Sequence, residues 1–249
     1  ALGIPVGAPF VCLNVRDSSY LAKSIPWRSW DYHNYRDGNI QNYVLAAQEL
    51  ANRGYYVIRM GAVVKEAMSV AHPMIIDYAM NGMRSDFMDI YLGAKCEFCI
   101  SNPSGFECVP DIFRRPIVNV DHVPLGVIST FVSKNLITTK KHWLRGERRF
   151  MTFREIFESG AGQFLHSSRY EDMGIDLIES TPEDIAAVVL EMESRLKGTW
   201  QTTEEDEALQ RRFWEIFPRA LAYYNSVPLH GEIRSRIGAD FLRKNKALL

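Results

Sequence analysis

Arg16 and Asp17 follow the apolar run FVCLNV, and Arg59 lies near the end of YYVIRM. Ser101, Asn102, Ser104 and Gly105 follow CEFCI in the stretch SNPSGFECVPDIF, and Asp121 and His122 follow PIVNV. A guanidinium is permanently charged and grips phosphate oxygens as a two-pronged fork. Arg16, Arg36 and Arg59, in that order, are therefore candidates for binding a phosphate. Ser104 and Gly105, at a strand-to-helix turn, would expose backbone N–H groups at the positive end of a helix, which also suits an anion. Gly105 has no side chain to hold a ligand away. Glu107, one turn on, is an acceptor of the kind that holds two hydroxyls of a ribose or sugar, and Asp121 and His122 are placed to meet a base or sugar. Charged residues gather in loops for many reasons, but here they recur at four strand ends. No G-x-G-x-x-G fingerprint and no Walker A loop occurs, which removes the dinucleotide-dehydrogenase and P-loop readings.

Polar groups at successive strand ends need a parallel sheet to bring them to one edge. FVCLNV (10–15), YYVIRM (55–60), 74–76, 97–100 and 116–120 read as strands. Between the first two, Ile40, Tyr43, Val44, Ala47, Leu50 and Ala51 recur at helical spacing up to Gly54, completing a βαβ unit. Ser85 caps a helix whose Phe87, Ile90, Tyr91 and Ala94 share a face, and 107–113 reads as a short helix. The stretch 125–149 reads as irregular. Thr152 and Glu155 have capping-box spacing, and DLIES reads as a last strand. Thr181-Pro182 opens a helix whose Ile185, Val188, Val189, Met192 and Leu196 share a side and which Gly198 ends. Two more helices are expected, over 203–217 and about 231–242. The expected fold is α/β: a Rossmann-like parallel sheet flanked by helices over 1–200, with a C-terminal helical extension, 201–249, packed on it.

Lys plus Arg number 29 and Asp plus Glu 30, a net charge of -1, so no chain-wide basic field draws the protein to nucleic acid. Its apolar runs fall far short of the roughly 20 residues that span a bilayer, and the N-terminus lacks a signal-peptide pattern. A cytoplasmic protein is expected, working at the inner face of the membrane if its substrate is lipid-linked. The chain starts without Met and goes almost directly into a strand, so an upstream segment is expected. Cys12, Cys96, Cys99 and Cys108 contain one C-x-x-C and no nearby His, which reads as reduced structural thiols rather than a metal site.

RDSSYL, HNYRDGNIQNY, GYYVIRMG, SDFMDIYLGAK, SNPSGF followed by VP, and PIVNVDHVPLG together resemble a family of bacterial glycosyltransferases of surface-carbohydrate biosynthesis. The resemblance runs through most of the chain, including LHGEIRSRIGADFL. More distantly, the layout is similar to the nucleotide-sugar half of GT-B glycosyltransferases, especially fucosyltransferase-like ones, where an H-x-R motif ends a strand and its Arg meets the donor diphosphate. The matching positions here are Asn14 and Arg16, so the His of the motif is replaced. The resemblance implies transfer of a sugar from a nucleotide sugar to a carbohydrate or lipid-linked acceptor, with no cofactor or bound metal and with an acceptor domain upstream. Without a metal, preorganised cations must stabilise the leaving diphosphate.

An inverting transfer also needs a base for the acceptor hydroxyl. Asp17 and His33 are the first candidates, with Asp37 beside them. The same loop carries Trp27, Trp30, Tyr32 and Tyr35, which can stack on sugars or hold the loop down. The basic run KKHWLRGERR can meet an acidic ligand, although a solvated basic face is commoner. Arg59 can instead form an ion pair with a loop carboxylate. Two other functions fit the same residues: a nucleotide-sugar or carbohydrate-binding module without turnover, and a sugar-nucleotide epimerase or hydrolase.

Overall fold

A computed structural model describes residues 2–130, 132–219, 222–223, 227–228 and 232–249. The central sheet joins β1 (Phe10–Asn14), β2 (Tyr56–Arg59), β3 (Ile75–Ile76), β4 (Cys99–Ser101), β5 (Ile117–Asn119), β6 (Leu136–Ile137) and β12 (Arg236–Ile237). Its seven strands run in the order β12-β6-β5-β4-β1-β2-β3, and every ladder is parallel. The fold is thus the expected Rossmann-like α/β architecture.

Alternation along the strands feeds both faces of the sheet. Val11, Leu13, Val57, Ile100 and Val118 pack with Ala47 and Leu50 of α2 (Val44–Asn52) and with Ile185, Val189 and Met192 of α7 (Pro182–Leu196). Cys12, Ile58, Cys99 and Ile117 turn the other way, against Tyr78 and against Leu92 of α3 (Asp86–Lys95). The caps read from the sequence form: Ser85 accepts from the Met88 amide, and Thr152 and Thr181 each close a capping box.

Several expectations are corrected. On α3 the shared apolar face turns outward: Phe87 is 74% exposed and Ile90 and Tyr91 are exposed, while Leu92 and Gly93 are buried. Gly93 explains this, because a Cβ there would lie 2.7 Å from Val109, so the bare backbone lets the helix seat against α4 (Cys108–Ile112). The stretch 125–149 is not irregular, since it supplies β6 as well as β7 (Lys141–Leu144) and β8 (Arg149–Phe150). The DLIES strand, β9 (Ile175–Ile178), pairs antiparallel with β7 in a separate three-stranded sheet. Beyond residue 200, α8 (Glu204–Ile216) forms as expected, whereas α9 (Ala239–Lys244) is shorter and follows β12, which pairs with β6 in the central sheet. The two-residue strands Ala222–Tyr223 (β10) and Val227–Pro228 (β11) pair antiparallel.

The KKHWLRGERR run is largely consumed by local pairing. Lys140 is buried against the Asp37 carbonyl and Glu179, and Lys141 sits over the Phe150 ring. Arg145 pairs with Asp176, and Arg149 with Glu147 and Glu155. The four cysteines are free thiols, with Cys12, Cys96 and Cys99 buried and Cys108 exposed. Among the described residues no helix is long and apolar enough to cross a membrane.

Candidate functional site

From β1 the sheet grows outward through β2 and β3 on one side and through β4, β5 and β6 on the other, so the strand order reverses between β1 and β4. A crevice opens outside the carboxyl ends of strands at such a point. A cavity of about 430 Å³ lies there, lined by Asn14 to Asp17 after β1, by Ser104 to Phe106 after β4 and by Gly61 to Val64 after β2. Tyr20 and Leu21 of α1 (Ser19–Ser24), Arg36 and Asp89 complete it.

β1 and β4 are tied together at its floor. Asn14 Nδ2 donates to Ser104 Oγ at 2.6 Å. The Asn102 side chain accepts from the Arg16 amide at 2.6 Å and donates to the Arg36 carbonyl at 2.9 Å. Arg16 and Arg36, twenty positions apart in the chain, thereby reach the same cavity. The Arg16 side chain is 9% exposed and forms an ion pair with Asp37. Burial first, and then the neighbouring charge of Arg36, bring Arg16 down to about 10. Arg16 Nη1 faces Asp37 Oδ1, while Arg16 Nη2 and Arg36 Nε are buried without a hydrogen-bond acceptor. Two guanidiniums side by side with unused donors make a site suited to a doubly charged anion.

The other candidates divide between the cavity and its supports. Asp17 lines the cavity, and its two oxygens accept from the amides of Ser19 at 2.8 Å and Lys65 at 2.9 Å, joining α1 to the loop after β2. Ser104 and Gly105 line it too, and a Cβ on Gly105 would meet nothing within 4 Å, so the turn is open to a ligand. The helix behind that turn is short, a 3-10 turn at Gly105–Glu107 leading into α4, which limits its dipole.

Arg59 belongs to the supports. At the end of β2 its guanidinium is 1% exposed and turns to Asp77 at 3.0 Å and to the Glu66 carbonyl at 2.5 Å, realising the ion pair and not the phosphate contact. Ser101 is buried and donates to the Asn102 carbonyl. Glu107 does not line the cavity, and burial pushes its carboxyl up to about 7 against the opposing pull of the Ser101 hydroxyl and the Ser104 amide. Asp121 is buried under the Ser180 amide and hydroxyl, the latter at 2.7 Å, and burial lifts it to about 6. His122 is buried with Nδ1 unpaired, and burial followed by the charge of Arg36 lowers it to about 4.

His33 stands in an aromatic stack with Trp30, Tyr32 and His166, its ring 3.8 Å from that of Tyr32. Burial, then Arg36 and Arg16, lower it to about 4, so it is neutral at pH 7 and a weak proton acceptor there. Trp27 is 81% exposed on the same loop.

Sequence reasoning missed Asp89, Tyr20 and Leu21 as cavity residues. α1 is too short to show a period, and Asp89 is an acidic residue near the start of a helix, where a carboxylate is commonplace. Among the described residues no group of three or more His, Cys, Asp or Glu side chains is arranged to hold a metal ion. No protein-family model, no curated protein and no solved structure matches the chain.

Proposed function

We propose that the cavity binds the diphosphate of a nucleotide sugar and that the chain is the donor-binding part of a GT-B-type glycosyltransferase. The observation that carries this reading is the Arg16 and Arg36 pair at the strand-order reversal, with buried N–H donors lacking acceptors. As the sugar departs, negative charge builds on the leaving phosphate, and fixed guanidiniums stabilise it without reorganising. Ser104 and the open turn at Gly105 offer further donors, and Asp17, which lines the cavity together with Asp89, is the carboxylate assigned to take the acceptor's proton. The acceptor in this reading is a surface polysaccharide or a glycolipid. The reading is supported also by the resemblance of RDSSYL and SNPSGF to surface-carbohydrate glycosyltransferases.

One observation favours the binding module without turnover. His33 is held at about 4 and is a weak base at pH 7, and both Asp17 oxygens are already engaged by the amides of Ser19 and Lys65. Calorimetry with UDP, GDP, CMP and their sugars tests the shared site. Binding of a nucleoside diphosphate above the corresponding nucleoside is expected, and no binding of any of them would end both readings. Donor hydrolysis or sugar transfer by the chain then separates the enzyme from the module.

A further inference from the structure

Asn102 reads from the sequence as a ligand contact, but it is absent from the cavity lining and fully buried. Both of its polar side-chain atoms are engaged by main chain: Oδ1 by the Arg16 amide at 2.6 Å, Nδ2 by the Arg36 carbonyl at 2.9 Å. These are the two feet of a long excursion that leaves β1, carries α1 and the aromatic stack, and returns at Gly38. The feet are also joined by the Gly38 amide to the Arg16 carbonyl at 3.0 Å and by the Arg16 and Asp37 ion pair. A Cβ on Gly38 would lie 2.7 Å from Asn102 Nδ2, so the amide has little room to swing away.

We infer that Asn102 is a positioning residue: by clasping both feet of this excursion, it sets the Arg16 and Arg36 side chains next to each other for a single dianionic ligand. The physical need is specific. Bringing together the ends of a loop of about twenty residues costs closure entropy, and holding two guanidiniums together without an anion adds repulsion. A neutral amide with one donor and one acceptor satisfies both feet and adds no charge; an aspartate would keep only the acceptor half. The mention of a dianion rests on the proposed function, whereas the clasp itself does not.

The test has two arms, on Asn102→Ala and, should that variant fold poorly by circular dichroism, on Asn102→Ser. In the ligand-free arm, hydrogen exchange of the amides over 17–37 is expected to accelerate by about tenfold or more, while α7 stays protected as in the wild type. Unchanged exchange over 17–37 overturns the clasp, whatever any ligand does. In the second arm, inorganic pyrophosphate is titrated calorimetrically into wild type, Asn102→Ala, Arg36→Ala and the double variant. Each single change is expected to weaken binding by about tenfold, and the double variant to lose clearly less than the product of the two single losses, because Asn102 acts through Arg16 and Arg36 together. Fully multiplying losses, or an Asn102→Ala protein that binds as the wild type does, overturn the positioning role. A wild type that binds no pyrophosphate removes the dianion from the proposal, and the exchange arm then decides the clasp alone.

Discussion

Replacing Arg16 with Ala is expected to separate the anion site from the fold. The guanidinium is 9% exposed, and burial together with Arg36 has brought it well below its ordinary value, to about 10. That shift corresponds to roughly 3 kcal/mol against the charged form, a cost present at every pH below about 10 because the folded value lies under the unfolded one. Alanine removes this cost and also removes the pair with Asp37, so the two effects oppose each other in stability. For a bound diphosphate there is no such offset: a charge-assisted contact of about 1.5–3 kcal/mol is lost, roughly a 10- to 150-fold weaker Kd. Calorimetry with UDP and uridine, and with GDP and guanosine, reads the difference, alongside a thermal melt. Expected are a large loss for the diphosphates, little change for the nucleosides and a melting temperature within a few degrees of wild type. Equal losses for nucleoside and diphosphate, or an unchanged diphosphate affinity, would refute the assignment of Arg16.

Glu107→Gln is expected to stabilise the protein at pH 8 by on the order of 1–3 kcal/mol and to be near neutral at pH 4.5. The folded carboxyl, raised to about 7 from 4.5, favours folding below its unfolded value and loses that contribution as pH rises through 7; denaturant melts at the two pH values check this. His142, buried with Nε2 unpaired and lowered to about 4 chiefly by burial, is expected to titrate near 4 by NMR. Its contribution to stability is present above 6.5 and is lost as pH falls from 6.5 through 4; a titration near 6.5 would contradict the burial argument. Asp206→Ala removes the capping box with Thr203 and the two-pronged pair with Arg243 at 2.8 and 2.9 Å, and is expected to cost about 2–4 kcal/mol, read as a shifted denaturation midpoint.

The first βαβ unit was legible because its signals are local: a helical stripe from Ile40 to Ala51, a left-handed Gly54 to stop it, and alternating strands on each side. The caps at Ser85, Thr152 and Thr181 were legible for the same reason, since a side chain and an amide three residues on need no distant partner. Which side of α3 packs was not legible, because its apolar residues lie on more than one side and only the seat of Val109 on Gly93 selects between them. β9 was legible as a strand but its sheet was not, because a strand's pattern shows that it pairs but not with which neighbour.

The site divides in the same way. Residue types and strand ends by themselves determined that Arg16, Asp17, Ser104 and Gly105 would meet at one edge of a parallel sheet, because chain direction sends every strand's end to that edge. Tertiary structure decided between Arg59 and Arg36. Both are arginines close to strands or loops at that edge, but Arg59 is drawn inward to Asp77, whereas Arg36 is delivered to the cavity by a loop whose feet meet on Asn102. The pairing of β1 with β4, which brings Asn14 and Ser104 within 2.6 Å, spans ninety positions of chain. Contacts over that distance are selected by the packing of the whole sheet, and no local spacing encodes them.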